Sequence, residues 1–209
     1  MTEYEKKLLL TEDEYRYLMK HFGHKNPFIQ KNIFTQINYY FDTDDFSMNR
    51  QNKTCRIRLK DGKYKVTVKK HSLGTDHSTE TEMEMCTQLD SNVFTNMGLK
   101  LQGKLITHRC VVMKEANWEV VLDKNEYLGQ TDYELEIEYT SEYQEVAQSI
   151  LNIFRDMLMC HKHSPFYENP IADCPSIPSK STRFFDKLSN IKAEKQNSIS
   201  EKDNSNITA

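Results

Sequence analysis

Charge in this chain is written with a period of two. Tyr133 to Tyr139 reads YELEIEY, which on an extended backbone puts Glu134, Glu136 and Glu138 on one side and Leu135 and Ile137 on the other. Thr54 to Lys60 and Lys63 to Lys70 do the same with cations, and the Asp61-Gly62 between them is a strong two-residue hairpin signal. That turn sets Arg58 opposite Lys65, Arg56 opposite Thr67 and Thr54 opposite Lys69, with Cys55, Ile57, Leu59, Tyr64, Val66 and Val68 on the reverse face. Like charges directly opposed weaken a sheet, so this basic face wants an anion or an acidic wall in front of it. The first strand repeats the pattern, with Glu3, Glu5 and Lys7 on one side and Tyr4, Lys6 and Leu8 on the other. Arg109 and Asp123 stand in otherwise apolar stretches, and Glu80, Glu82 and Glu84 alternate more weakly. Clustered carboxylates are hard oxygen ligands suited to Mg2+ or Mn2+, and clustered Lys and Arg suit phosphates.

The elements that must position these side chains follow from the same reading. Glu3 to Leu10 reads as a strand, then a helix opens at Thr11 with Glu14 three residues on, a capping-box pattern, and ends near Phe22-Gly23. Further strands are expected at 33–41, 54–60, 63–70, 79–86, 105–113, 117–123 and 131–140. A closing helix from Glu142 to Cys160 would carry Val146, Ile150, Ile153, Phe154 and Met157 as its apolar stripe. Four of the five prolines fall between Pro165 and Pro178, which makes that stretch a loop leading to a short element near Lys180 to Leu188. Residues 189–209 have the polar, aromatic-free composition of a disordered tail.

Composition sets outer limits. The 209 residues, 37% apolar and 28% charged, describe one sizeable domain with an appendage. The net charge of −3 gives no reason for bulk attraction to nucleic acid or to membranes. It averages a basic block, nine Lys or Arg against one Asp from Arg50 to Lys70, with an acidic one, seven carboxylates and no cation from Glu126 to Glu145. Five scattered cysteines without a CxxC, and an N-terminus too polar for a signal peptide, point to a reducing, cytoplasmic setting. The seven histidines, His161 and His163 included, are scattered and read as surface residues. An ordinary antiparallel sheet would leave each charged face in water. Eight strands can instead close into a barrel with the charged faces inside, where basic and acidic walls meet and a polyanion with a divalent cation satisfies both. Recognition of nucleic acid by the basic hairpin is disfavoured, because Tyr64 lies on the face away from Arg58 and Lys65.

The opening Glu3-Tyr4-Glu5-Lys6-Lys7 matches an ExExK signature. Tyr40-Phe41-Asp42-Thr43, Arg56-Ile57-Arg58, Thr67-Val68-Lys69, Arg109, Asp123, Tyr133 to Glu138 and Ser179-Lys180-Ser181-Thr182-Arg183-Phe184 follow in order. In this ordered set the chain resembles the CYTH family, the triphosphate tunnel metalloenzymes, most closely their bacterial single-domain branch, over about residues 1–188. The resemblance implies an α+β fold dominated by β, an eight-stranded antiparallel closed barrel or tunnel with helices packed outside, spanning 1–188 before the tail. It implies Mg2+ or Mn2+ held by Glu3, Glu5, Glu134 and Glu136, with Glu138 as a further ligand. It implies phosphates cradled by Lys7, Arg56, Arg58, Lys69, Arg109, Lys180 and Arg183; Lys65 joins them from the hairpin register. Asp123 would orient one of the cations, and Glu136, Lys7 and Asp123 are the residues expected to take part in catalysis. The expected activity is metal-dependent hydrolysis of inorganic, nucleoside or thiamine triphosphate. The alternatives are a class IV type adenylyl cyclase and a non-catalytic polyphosphate or nucleotide binder. The partner in each case is a small polyphosphate or nucleotide, with no nucleic acid and no membrane.

Overall fold

The computed structural model describes residues 2–23, 33–71, 77–86, 91–161 and 177–205, apart from the side chains of 77, 78, 80, 82–86 and 198–205. Its strands are β1 (Thr2–Leu10), β2 (Ile33–Asp42), β3 (Lys53–Lys60), β4 (Lys63–His71), β5 (His77–Cys86), β6 (Lys100–Lys114), β7 (Trp118–Tyr127) and β8 (Gln130–Tyr139). The helices are α1 (Glu12–Leu18), α2 (Ser47–Arg50), α3 (Asn92–Thr95), α4 (Gln144–Cys160) and α5 (Lys180–Ser205). The proline-rich stretch lies outside the described residues up to 176. The chain divides into two units, Met1–Ile177 and Pro178–Ala209.

Asp61 and Gly62 both have positive φ, 50° and 72°, the backbone that a two-residue hairpin turn needs to match the twist of its strands. The register that follows is the expected one: Lys60 faces Lys63, Arg58 faces Lys65, Arg56 faces Thr67 and Thr54 faces Lys69. All pairings are antiparallel, and they run round a ring in the order β1-β5-β4-β3-β2-β6-β7-β8. Seven junctions carry six or more register pairs each. The eighth, β1 with β5, has three, Thr2 to Tyr4 against Thr79 to His77. Among the described residues β5 begins at His77, and β1 pairs along β8 from Tyr4 to Leu10. The eight-stranded antiparallel closed barrel expected from the sequence is seen as a β-dominated antiparallel ring whose β1–β5 junction is short among the described residues.

The apolar sides of the strands point away from the lumen. Leu8, Val120, Leu122, Leu135 and Ile137 pack under α1 and α4, and Phe41, Cys55, Ile57 and Val66 pack with Phe94 of α3. Helix α1 starts on the expected capping box, in which the Thr11 hydroxyl accepts from the Glu14 N–H and the Glu14 carboxylate accepts from the Thr11 N–H at 2.8 Å. On α4 the buried stripe is Ala147, Leu151, Phe154 and Leu158; of the expected stripe Phe154 is buried and Ile150 packs against the core, whereas Val146 and Ile153 face solvent. Both stripes satisfy the helical period, and the sheet takes the one whose leucines flank Phe154. Residues expected as a tail after 188 continue α5 to Ser205, in a stretch with neither Pro nor Gly to break it. No described helix is long and apolar enough to cross a membrane.

Asp42 closes the turn between β2 and β3. It is fully buried, and its carboxylate accepts from the N–H groups of Thr43, Met48 and Asn49 at 2.7, 2.9 and 2.9 Å. It thus caps α2, whose own N-cap residue, Phe46, offers no side-chain acceptor. Asp42→Ala leaves these buried donors without their charged acceptor and is expected to lower stability by about 3 kcal/mol, read as a fall in the urea midpoint at constant slope.

Candidate functional site

The inward faces of β6, β7, β8 and β1 form an acidic wall organised by one guanidinium. Arg109 on β6 lies directly across from Asp123 on β7 and donates to it twice, Nε to Oδ1 at 2.9 Å and Nη2 to Oδ2 at 2.8 Å. The same side chain reaches over β7 to β8, where Nη2 donates to Glu136 Oε2 and Nη1 to Glu138 Oε1, each at 2.7 Å. Burial disfavours the guanidinium charge, but Asp123, Glu138 and Glu136 outweigh it and hold Arg109 well above its ordinary pKa. On β1, Lys7 donates to Glu5 at 3.0 Å and to Glu136 Oε1 at 3.4 Å, and Lys69 of β4 donates to Glu3 at 2.8 Å. Burial raises the Glu5 carboxyl, but Lys7 and Lys69 overcome it and bring the pKa down to about 2. Glu138 moves the other way: desolvation by the enclosing wall raises its pKa against the pull of Arg109, and nearby Glu136 adds to the rise.

The opposite wall is basic. Arg56 and Arg58 of β3 and Lys65 of β4 sit half-buried on the inward face, as the hairpin register requires. Two neutral groups fix the arginines: Arg56 Nε donates to Thr67 at 3.0 Å and Arg58 Nε to Asn38 Oδ1 at 2.8 Å. Asn38 is fully buried, and its Nδ2 has no partner among the described residues. At the hairpin end, Lys60 lies 3.9 Å over the Phe34 ring, and desolvation lowers its pKa.

Among the described residues, Asp123, Glu134 and Glu136 form a group whose carboxylate oxygens lie within 4.8 Å of one another, all three residues buried. The donors fit a hard divalent cation. Lys7, Lys69 and Arg109 are paired with Glu3, Glu5, Asp123, Glu136 and Glu138 around this group.

The sequence-derived residues thus assemble on facing walls, but in different company from that expected. Asp123, expected to orient a cation, holds Arg109 and also stands among the clustered carboxylates. Glu138 is engaged by Arg109, while Glu3 and Glu5 are engaged by Lys69 and Lys7. Lys180 and Arg183 lie in the first turn of α5, in the second unit, where Arg183 donates to the Pro178 carbonyl at 2.8 Å. Glu80, Glu82 and Glu84 have side chains outside the described residues. Charge counting missed the neutral residues Asn38, Thr107 and Asn125 on the inward face, and also His71. The His71 imidazole meets the Thr54 hydroxyl at 3.1 Å, and desolvation, with Lys69 adding to it, lowers its pKa to about 4. Strand parity was the signal available: each alternates with a lumen charge on its own strand or faces one across the ladder.

A carboxyl held at about 2 when folded, against an ordinary 4.5, binds fewer protons than the unfolded chain, so its stabilisation is complete above 4.5 and lost as pH falls towards 2. Glu5→Gln should therefore be less stable than wild type at pH 6 without divalent metal. The difference should shrink steadily in urea titrations taken from pH 4.5 down to 2.5; a constant difference would remove Glu5 from the ionic network.

Comparison with known proteins agrees with this geometry. Residues 1–164 match the family model for the CYTH domain. The YjbK protein of Bacillus subtilis (strain 168), which carries a provisional triphosphatase name, is 30% identical over 150 residues, covering 65% of this chain and 76% of its own length. A crystal structure from Bacillus halodurans, provisionally named an adenylate cyclase, is 26% identical with a TM-score of 0.58, covering 88% of this chain and 97% of that one. HpAC1 from Hippeastrum, provisionally an adenylyl cyclase and described as having a dominant triphosphatase activity, shares the fold at 20% identity and a TM-score of 0.55, over 75% of this chain and 87% of its own. With its charged side chains turned into a curved antiparallel sheet, and the family match extending over most of its length, this chain belongs to the CYTH domain family.

Proposed function

We propose that the chain is a divalent-metal-dependent hydrolase of a triphosphate, inorganic, nucleoside or thiamine, bound between the two walls of its lumen. The observation that carries this reading is the facing of Arg56, Arg58 and Lys65 on one wall by the clustered carboxylates Asp123, Glu134 and Glu136 on the other. The resemblance to a provisionally named triphosphatase at 30% identity supports the same chemistry. Arg56, Arg58, Lys65 and Lys69 would bind the phosphate chain. Asp123, Glu134 and Glu136 would hold Mg2+ or Mn2+, with Glu3, Glu5 and Glu138 completing the acidic lining. When bound, such an ion supplies charge neutralisation and Lewis acidity.

The chain's own residues supply the rest. Asp123 sets the plane of the Arg109 guanidinium through two parallel hydrogen bonds, so Arg109 is oriented before substrate arrives and needs no reorganisation as charge develops on a phosphoryl oxygen. Lys7, tied to Glu5 and Glu136, would donate from Nζ to the departing phosphate. Glu136 links the two cations, Arg109 through Oε2 and Lys7 through Oε1, and so couples the groups that bind with those that react. The five scattered cysteines favour a cytoplasmic setting; Cys55, Cys110 and Cys160 are free thiols.

Purified protein incubated with tripolyphosphate, ATP or thiamine triphosphate and Mg2+ or Mn2+ is expected to release orthophosphate. Cyclic AMP with pyrophosphate would instead establish a cyclase, and retained binding without product a binding module. Glu136→Gln is expected to lower turnover at least about a hundredfold with the far-ultraviolet spectrum unchanged, the scale on which loss of a charge-stabilising group acts. Activity close to wild type in that variant would take the acidic strand out of the mechanism.

A further inference from the structure

Two inward residues that carry no charge lie directly behind the clustered carboxylates. Asn125 follows Asp123 by two positions on β7, on the same face, and its ladder neighbours are Thr107 on β6 and Asp132 on β8. Its Nδ2 donates to Glu134 Oε1 at 2.9 Å and to Asp132 Oδ1 at 3.0 Å, and its Oδ1 accepts from the Thr107 hydroxyl at 2.7 Å. Thr107, Asn125 and Glu134 are each fully buried. The far oxygen of Asp132 accepts from the Tyr127 hydroxyl at 2.7 Å.

Chemistry fixes the direction of every bond in this chain. Ionised carboxylates only accept, so the Asn125 amide must turn its two N–H groups to Glu134 and Asp132. Its oxygen is then left facing β6, and the Thr107 hydroxyl must spend its single proton there. A flipped amide would put an oxygen against two carboxylates, so these set the orientation of Asn125. Thr107 holds the amide there by donating to its oxygen, and Asn125 ties down one oxygen of Glu134. A carboxylate anchored through one oxygen has little freedom left for the other, which is the condition for a set of donors to discriminate between ions of different size.

We propose that Thr107 and Asn125 are positioning residues that set the affinity of the Asp123, Glu134 and Glu136 group for a divalent cation and its preference for a small ion over a large one. The proposal rests on the metal-dependent reading above and goes beyond it by assigning a role to residues that touch neither phosphate nor ion. A small ion demands near-ideal octahedral placement of its ligands, whereas Ca2+ accepts variable and looser arrangements, so slackening Glu134 penalises Mg2+ and Mn2+ more than Ca2+.

The test is calorimetric titration of the full chain with Mn2+ and with Ca2+, and separately with tripolyphosphate in EDTA. Wild type is compared with Thr107→Val, which keeps the shape and removes the hydroxyl, and with Thr107→Ser, which restores it. Thr107→Val is expected to bind Mn2+ roughly tenfold more weakly, the usual scale for loss of such a supporting partner. Its Ca2+ affinity should change less and its tripolyphosphate affinity in EDTA not at all, and Thr107→Ser should return to wild-type behaviour. If Thr107→Val does not fold by near-ultraviolet circular dichroism, Asn125→Ala takes its place with the same expectation. Unchanged Mn2+ affinity and Mn2+ to Ca2+ ratio in a variant of a protein that binds Mn2+ would overturn this proposal alone. A proportional fall in affinity for both metals and for tripolyphosphate, which is what general loosening produces, would overturn it as well. A wild-type chain that binds tripolyphosphate but no divalent ion would overturn the metal-dependent reading and this proposal with it.

Discussion

A guanidinium enclosed by carboxylates is the interaction on which the interior depends. Arg109 is bonded to Asp123, Glu136 and Glu138, groups drawn from two neighbouring strands, and little of its side chain is exposed. Removing any one partner of such an assembly leaves charge in a place where water cannot solvate it. The cost binds β6, β7 and β8 into one ionic unit, and Lys7 extends that unit to β1 through Glu136. Strands β6, β7 and β8 are thus held in register by the charges as well as by their ladders.

Putting charge inside obliges the apolar surface to go elsewhere. The strands alternate strictly, so every inward Glu or Arg commits its neighbours to the outer face, and helices must cover them. Helices α1 and α4 cover β1, β6, β7 and β8, and α3 covers part of β2, β3 and β4. The interior is consequently a polar site and the exterior of the sheet a core, the reverse of a small packed barrel. It also explains the buried neutral polar residues: Thr67, Asn38 and Asn125 complete the hydrogen bonding of ions that have exchanged water for protein, and Thr107 supports Asn125.

Much of this was legible from spacing. The Asp61-Gly62 turn fixed the β3–β4 register residue by residue, because a two-residue turn permits only one. The capping box at Thr11 and Glu14 was equally local. The stripe of α4 was not legible, since two overlapping sets of apolar residues satisfy the same period. The Asn125 and Thr107 pair was not legible either, because neutral residues on a charged face look like filler until a partner on another strand is known.

Which side chains share a face, the sign of each wall and the local turns and caps can be read along the chain, because these depend on neighbours within a few residues. The folded chain alone decides that Arg109 reaches across β7 to β8, that Asp123 stands with Glu134 and Glu136, and that β1 pairs with β8 along most of its length. These outcomes depend on the order, stagger and curvature of strands far apart in the chain. Alternation fixes a side of the sheet; where along the lumen each charge meets its partner is set by how the sheet curls.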